Sequence, residues 1–321
     1  MDNLLDVRDL KKYFKTPRGM LHAVDDVSFG VKRGETLGVV GESGCGKSTL
    51  GRVIIRLLDS SGGQIFFDGE DITNSTAKQT HALRQQMQII FQDPYSSLNP
   101  RMTVGESIAE PLIIHKTCAN KFEVEKKVNK LMDTVGLASR FVNTYPHELD
   151  GGRRQRIGIA RALALDPKFI VCDEPVSALD VSIQAQILNL MQDLQSEKEF
   201  TYIFITHNLA VVKHISNNIM VMYLGVTVEK CSSETLFANP LHPYTKALLA
   251  AIPEPSIHKT RARKLLKGEI TSPIEPKPGC RFAARCDYAQ EKCFNVNPVC
   301  EQILSEHFVA CHYVREINGI K

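Results

Sequence analysis

Residues Gly41-Glu-Ser-Gly-Cys-Gly-Lys-Ser48 follow the apolar run Glu35-Thr-Leu-Gly-Val-Val40 and lead into the helix-patterned stretch Ser48–Leu58. The eight match G-x-x-x-x-G-K-[ST], a strand, a glycine-rich loop and a helix in that order, which points to an α/β fold that binds a nucleoside triphosphate. Gly41, Gly44 and Gly46 let the backbone turn tightly with its N–H groups aimed inward. Lys47 is placed to neutralise β/γ-phosphate charge and Ser48 to ligate Mg²⁺. A helix beginning near Lys47 adds its positive end. Ser43, Cys45 and Thr49 complete the candidate contacts, and a thiol at Cys45 could be oxidised and block nucleotide.

The 321 residues suggest about two domains with ample core. Lys and Arg number 39 against 36 Asp and Glu, a net charge of +3 with both signs interspersed, so no nucleic-acid footprint is indicated. The N-terminus Met1-Asp-Asn-Leu-Leu-Asp6 lacks the order of a signal peptide, and no apolar run approaches about 18 residues. A cytosolic chain is expected. Five of its nine cysteines crowd into residues 280–311, which in that setting points to a metal centre rather than disulfides.

Short strands are expected at Leu4–Val7, Ala23–Phe29 and Gly63–Asp68. Residues 104–140 carry a helical pattern, and Pro146–Leu165 reads as one long Arg-rich helix. Lys168–Cys172 and Phe200–Thr206 read as buried strands. Alternation of this kind implies a largely parallel sheet with the ligand at the carboxyl ends of its strands. Composition then shifts to Pro, Lys and Cys from Ile252-Pro-Glu-Pro255 onward, which sets an expected boundary: a domain over 1–250 and a small Cys-rich one over 251–321.

Phe169-Ile-Val-Cys-Asp-Glu-Pro175 puts two carboxylates at a strand tip. Asp173 can hold Mg²⁺ and Glu174 can orient and deprotonate an attacking water. His207 ends the next strand and is a candidate γ-phosphate contact.

Together these residues resemble the ATP-binding subunits of ABC transporters over nearly the whole chain. The resemblance implies a mixed-sheet core with a helical subdomain at about residues 95–165. It makes Gln92 the Q-loop glutamine, a further Mg²⁺ ligand and a link to the permease-contacting helices. It makes Leu149-Asp-Gly-Gly-Arg153 the signature, with Gly151 and Gly152 facing phosphate across a dimer, and Asp173 and Glu174 the Walker B pair, Glu174 being the general base. Ser177-Ala-Leu-Asp180 becomes the D-loop and His207 the switch histidine. Phe14, or else Tyr13, would stack on adenine, though either ring could equally be core packing. Such subunits sandwich two ATP molecules as dimers, and closure drives the transmembrane partners.

Asp93–Thr103, Asn239–Leu249 and the cysteines look like the dipeptide, oligopeptide and nickel importer branch, with the second subunit of a D/F-type pair the best match. That implies import of di- or oligopeptides powered at the cytoplasmic face of the membrane. The implied partners are a second ATPase subunit, two permease subunits and, indirectly, an extracytoplasmic binding protein, with no nucleic acid. The alternatives are a nickel or other small-solute importer, and a soluble non-transport ABC ATPase with a redox-sensing tail.

Two features depart from the simplest pattern. Asp150 and Arg153 stand where the family's signature has Ser and Gln. A carboxylate about 4 Å from phosphate would be opposed by roughly 4 kcal/mol at a dielectric near 20, unless Arg153 or Arg154 neutralises it. Unequal ATP sites are therefore expected, the alternative being that Asp150 turns outward and caps a helix. In the tail, Cys280, Cys286, Cys293, Cys300 and Cys311 lack the paired C-x-x-C of common zinc ribbons, so an iron–sulfur cube fits at least as well as zinc, the third alternative being unliganded buried thiols. The resemblance favours Cys280, Cys286, Cys293 and Cys311 as [4Fe–4S] ligands, with Cys300 an alternative fourth.

Overall fold

The computed structural model describes residues 3–252, 268 and 272–320. Met1 and Asp2, and the Pro253 and Pro255 on which the expected boundary rests, lie outside them. In chain order the elements begin β1 (Asn3–Thr16), β2 (Gly19–Lys32), β3 (Thr36–Val40), α1 (Lys47–Ile54), β4 (Gly62–Phe67) and β5 (Glu70–Asp71). Next come α2 (Ala77–Gln86), β6 (Met87–Ile90), α3 (Val104–Ile114), α4 (Lys121–Thr134), α5 (Gly151–Leu163), β7 (Phe169–Asp173), α6 (Val181–Lys198) and β8 (Thr201–Thr206). The last part holds α7 (Leu209–Ile215), β9 (Asn218–Tyr223), β10 (Val226–Ser232), α8 (Ser233–Ala238) and α9 (Pro243–Ala250). It ends with α10 (Glu291–Asn295), β11 (Glu301–Leu304), β12 (His307–Val309) and α11 (Val314–Asn318).

The chain divides into two compact units. The first holds residues 1–31, 35–73 and 206–321. Its β1 and β4 pair antiparallel, with Leu5 opposite Phe67 and Val7 opposite Ile65, so that four apolar side chains share one buried face. In β2, Val27, Phe29 and Val31 are buried and alternate with exposed neighbours, the period of a half-buried strand. A second sheet of this unit runs β11-β12-β10-β9-β3. Its β3 lies parallel to β9, and β10, β12 and β11 add antiparallel. The cysteine-bearing segment is therefore built into this unit rather than standing apart: β12 continues the sheet beside β10, and Ile274 bridges to Leu21 of β2.

The second unit holds residues 32–34 and 74–205. Its strands run parallel in the order β6-β7-β8, with Ile90 beside Cys172 and Asp173 beside Ile205. Every residue of β7 and β8 is buried, in keeping with their apolar cores Phe169–Cys172 and Tyr202–Ile205. Helices α3, α4 and α5 pack on one another. The helix foreseen from Pro146 onward begins only at Gly151: residues 146–148 make one 3₁₀ turn, Leu149 is extended, and the Asp150 side chain caps α5. Among the described residues no helix is long and apolar enough to cross a membrane.

Candidate functional site

The phosphate loop leaves the buried end of β3 and closes on itself before α1. Gly46 has φ 102°, and a Cβ there would sit 1.9 Å from the Ala23 carbonyl oxygen. At Gly41, φ is 154° and a Cβ would meet the Met222 oxygen at 2.2 Å. Only glycine fits either place. Lys47 is 5% exposed, and its Nζ donates to the carbonyls of Gly41 at 2.8 Å and Glu42 at 3.0 Å. Those neutral acceptors orient the ammonium without cancelling its charge, which suits it to an anionic ligand. Ser48 and Thr49 follow in the first turn of α1. The Cys45 thiol is buried beside Lys47; burial pushes its pKa up more than the ammonium pulls it down, so it stays protonated and poorly reactive.

In the second unit, Gln92 follows β6 and Glu174 follows β7, two adjacent parallel strands whose carboxyl ends bring the residues together. Gln92 Nε2 donates to Glu174 Oε2 at 2.9 Å. Glu174 takes a left-handed conformation, φ 47°, and its amide donates to Ile205 at 2.9 Å, so the strand tip is a sharp turn pinned to β8. Asp173 ends β7 almost fully buried. Asp180 caps α6, accepting from the Ile183 amide at 3.0 Å and the Ser182 hydroxyl at 2.7 Å, and these bonds hold its pKa below the usual range. Gly151 and Gly152 form the first turn of α5. Asp150 Oδ1 accepts the Arg153 amide at 2.8 Å and its Oδ2 the Arg153 guanidinium at 2.7 Å. The alternative foreseen for Asp150 is therefore the one observed, with Arg153 as its counter-charge.

His207 follows β8 in the first unit and is exposed. Tyr13 stacks on His22 with ring centroids 4.0 Å apart, and its hydroxyl donates to Asp25, which Arg281 also holds. Phe14 carries Lys12 over its ring at 5.0 Å.

Cys280, Cys286, Cys293 and Cys311 line one small cavity together with Phe282, Ala283 and His242, whereas Cys300 lines another beside Lys230. Burial raises the Cys280 thiol to about 12 and also raises Cys286 and Cys311, with the neighbouring thiols adding to the effect. Among the described residues no three His, Cys, Asp or Glu side chains gather tightly enough to hold a metal ion.

The family model of ABC transporters matches residues 24–177, and that of the oligopeptide/dipeptide transporter C-terminal region matches residues 228–293. An oligopeptide transport ATP-binding protein OppF of Bacillus subtilis is 52% identical, covering 92% of this chain and 99% of its own. The Escherichia coli OppF is 50% identical over 95% of this chain and 92% of its own. Among solved structures, the dimeric ATP-binding cassette MJ0796, in a post-hydrolysis state bound to ADP and Pi, aligns with a TM-score of 0.66 at 27% identity, covering 71% of this chain and 98% of that one. The chain belongs to the ABC transporter family, among its oligopeptide transport ATP-binding proteins.

As an ABC ATPase it places its predicted residues in two groups. Gly41–Thr49, His207, Phe14 and Cys280, Cys286, Cys293, Cys300 and Cys311 lie in the first unit; Gln92, Asp173, Glu174, Gly151, Gly152 and Asp180 lie in the second. Sequence reasoning missed three contributors. Arg285 and Tyr244 both bond the phosphate-loop residue Glu42. Glu229, fully buried, accepts from His307 at 2.7 Å and from the amides of Leu241 and His242. Burial would raise the Glu229 pKa, but these hydrogen bonds hold it below the usual range. No local pattern marks any of the three, because each pairs with residues more than ten positions away.

Proposed function

We propose that this ABC ATPase powers import of di- or oligopeptides through a membrane permease, acting at the cytoplasmic face as a heterodimer with a second ATP-binding subunit. The observation that carries the reading is identity of about one half to oligopeptide transport ATP-binding proteins over nearly all of both chains, including the C-terminal region. In this reading the amides of Gly41–Ser48 and the Lys47 ammonium bind the phosphates, and Phe14 takes adenine because Tyr13 is already committed to Asp25 and His22. Mg²⁺ held by Ser48, Asp173 and Gln92 would neutralise phosphate oxygens. Glu174, steadied by Gln92, accepts a proton from the water that attacks the γ-phosphorus as the bond to ADP breaks; His207 contacts the γ-phosphate. Gly151, Gly152 and Asp180 act across the dimer. Since Arg153 neutralises Asp150, the signature substitution does not by itself make the two ATP sites unequal.

By the resemblance a [4Fe–4S] cluster would be held here, and that the four thiols line one cavity supports the reading. Cys280, Cys286, Cys293 and Cys311 would hold it, and it would staple this segment as a structural group. Peptide uptake tests the transport reading. Cells lacking the chain should recover uptake of a labelled tripeptide with the wild type and not with Glu174→Gln, while nickel uptake stays unchanged. Restoration of nickel uptake alone would sink the peptide assignment.

A further inference from the structure

Glu42, the second residue of the phosphate loop, is held at both its side chain and its amide by residues from the far end of the chain. The Arg285 guanidinium meets the Glu42 carboxylate with two bonds, 2.7 Å to Oε2 and 3.0 Å to Oε1. Both side chains are mostly buried, 7% and 23% exposed. The Glu42 amide donates to the Tyr244 hydroxyl at 2.9 Å. Tyr244 is itself locked, its ring set edge-on to Tyr223 at 4.8 Å and against Phe282 at 5.3 Å. The hydrogen bond to Glu42 raises the already high pKa of Arg285 further, so the guanidinium is charged at any physiological pH.

The other end of this contact reaches the cysteines. Arg285 closes the 3₁₀ turn Ala283–Arg285, which lies in the chain between Cys280 and Cys286. Phe282 and Ala283 line the four-thiol cavity, the Ala283 amide donates to Cys280 at 2.9 Å, and the Cys286 amide donates to Ala283 at 3.2 Å. In the loop, Lys47 Nζ rests on the Glu42 carbonyl. Arg285 therefore connects the backbone turn that carries Cys280 and Cys286 to Glu42, whose backbone carbonyl receives the Lys47 ammonium.

We propose that Arg285 and Tyr244 are positioning residues for ATP: by fixing Glu42 they set the place of Lys47 and make the cysteine segment part of the nucleotide site. The inference rests on the ATPase reading. Were the contact only a fastening of the C-terminal segment, removing it would lower stability and leave nucleotide affinity unchanged. A bidentate charge-assisted pair that also shapes a ligand site alters affinity by roughly tenfold when broken.

The experiment is a double-mutant cycle on the complete transporter complex, with Arg285→Met, Glu42→Gln, the two combined, and Tyr244→Phe, reading ATP dissociation constant, KM, kcat and Tm together. Each single change at the pair is expected to weaken ATP binding and raise KM about tenfold with kcat within about twofold, and the double variant to be no worse than Arg285→Met alone. Tyr244→Phe keeps the ring and removes the acceptor, and should cost about threefold in the same two constants. Unchanged ATP affinity with a lowered Tm, or fully additive losses, would overturn the proposal. If Arg285→Met fails to assemble, Glu42→Gln and Tyr244→Phe decide it, since both keep side-chain volume. A wild-type complex that bound no ATP would overturn the ATPase reading and this inference with it.

Discussion

The phosphate loop takes its groups from consecutive residues, while the cysteine cavity in the same unit gathers its thiols from Cys280, Cys286, Cys293 and Cys311. The loop is organised by its own backbone: two glycines in conformations closed to other residues and a lysine bonded to carbonyls five and six positions back. The cavity depends on distant support, from β10 pairing with β12 and from Tyr244 and Phe282 packing on Tyr223. A site of the first kind, held from outside only at Glu42, fails chiefly by losing chemistry. One of the second kind fails by losing structure.

The sharpest way to test the chemical side is Glu174→Gln. The amide still accepts the Gln92 hydrogen bond but takes no proton, so kcat of the complex should fall by about two to four orders of magnitude while ATP binding and Tm hold. A kcat within tenfold of wild type would assign the base elsewhere. For the structural side, Cys280→Ser should strip most of the iron from anaerobically purified protein and lower its Tm. Cys300→Ser, at a residue that does not line the four-thiol cavity, should keep both. Equal iron loss in the two variants, or one zinc and no sulfide in the wild type, would break the four-thiol assignment.

Much of this was legible beforehand, and the reason is locality. Gly41–Ser48, the Asp173–Glu174 strand tip and the apolar cores of strands β7 and β8 announce themselves because their roles are fulfilled within a few residues of chain. Gln92 and Glu174 were each readable, but their contact needed the parallel pairing of β6 and β7. The choice between Cys300 and Cys311 was not readable at all, since β11 and β12 carry one toward Lys230 and return the other to the cavity. The late start of α5 turned on one side-chain hydrogen bond from Asp150. Glu42, Arg285, Tyr244 and Glu229 were invisible for the same reason: their meaning lies in partners brought close only by folding.

Glu229 extends the comparison to pure scaffolding. Its carboxylate and His307 are both fully buried on β10 and β12, the strands that join the cysteine segment to its sheet. Glu229→Gln leaves a hydrogen-bonding group of the same size but removes the ionised acceptor of these hydrogen bonds, so the expected loss is about 2 kcal/mol, read as a fall in denaturant midpoint at unchanged m-value. Because the folded-state pKa of Glu229 is depressed, its stabilisation is complete above the ordinary glutamate value near 4.3 and fades as pH falls through the lower folded value. Acid unfolding should therefore be less steep below about pH 4.3 in Glu229→Gln than in the wild type. Identical pH dependence in the two would show that the carboxylate is not held ionised.

The smallest effect belongs to Asp150, the charged residue that caps α5. Both of its oxygens are already engaged by Arg153, one by the amide and one by the guanidinium, in a half-exposed pair. Such a pair contributes at most about 1 kcal/mol, and serine caps a helix nearly as well as aspartate, so Asp150→Ser should change stability by less than about 0.5 kcal/mol. Turnover of the complex should stay within about twofold, since the local charge of Asp150 and Arg153 together is close to zero before and only modestly positive after. A tenfold rise would mean that the carboxylate leaves Arg153 when the dimer closes and does oppose phosphate, which would restore the expectation of unequal sites. Arg153→Ala separates the cases from the other direction. It leaves the cap and exposes the charge, and weaker ATP binding there beside an indifferent Asp150→Ser would show that this signature works because its two substitutions cancel each other.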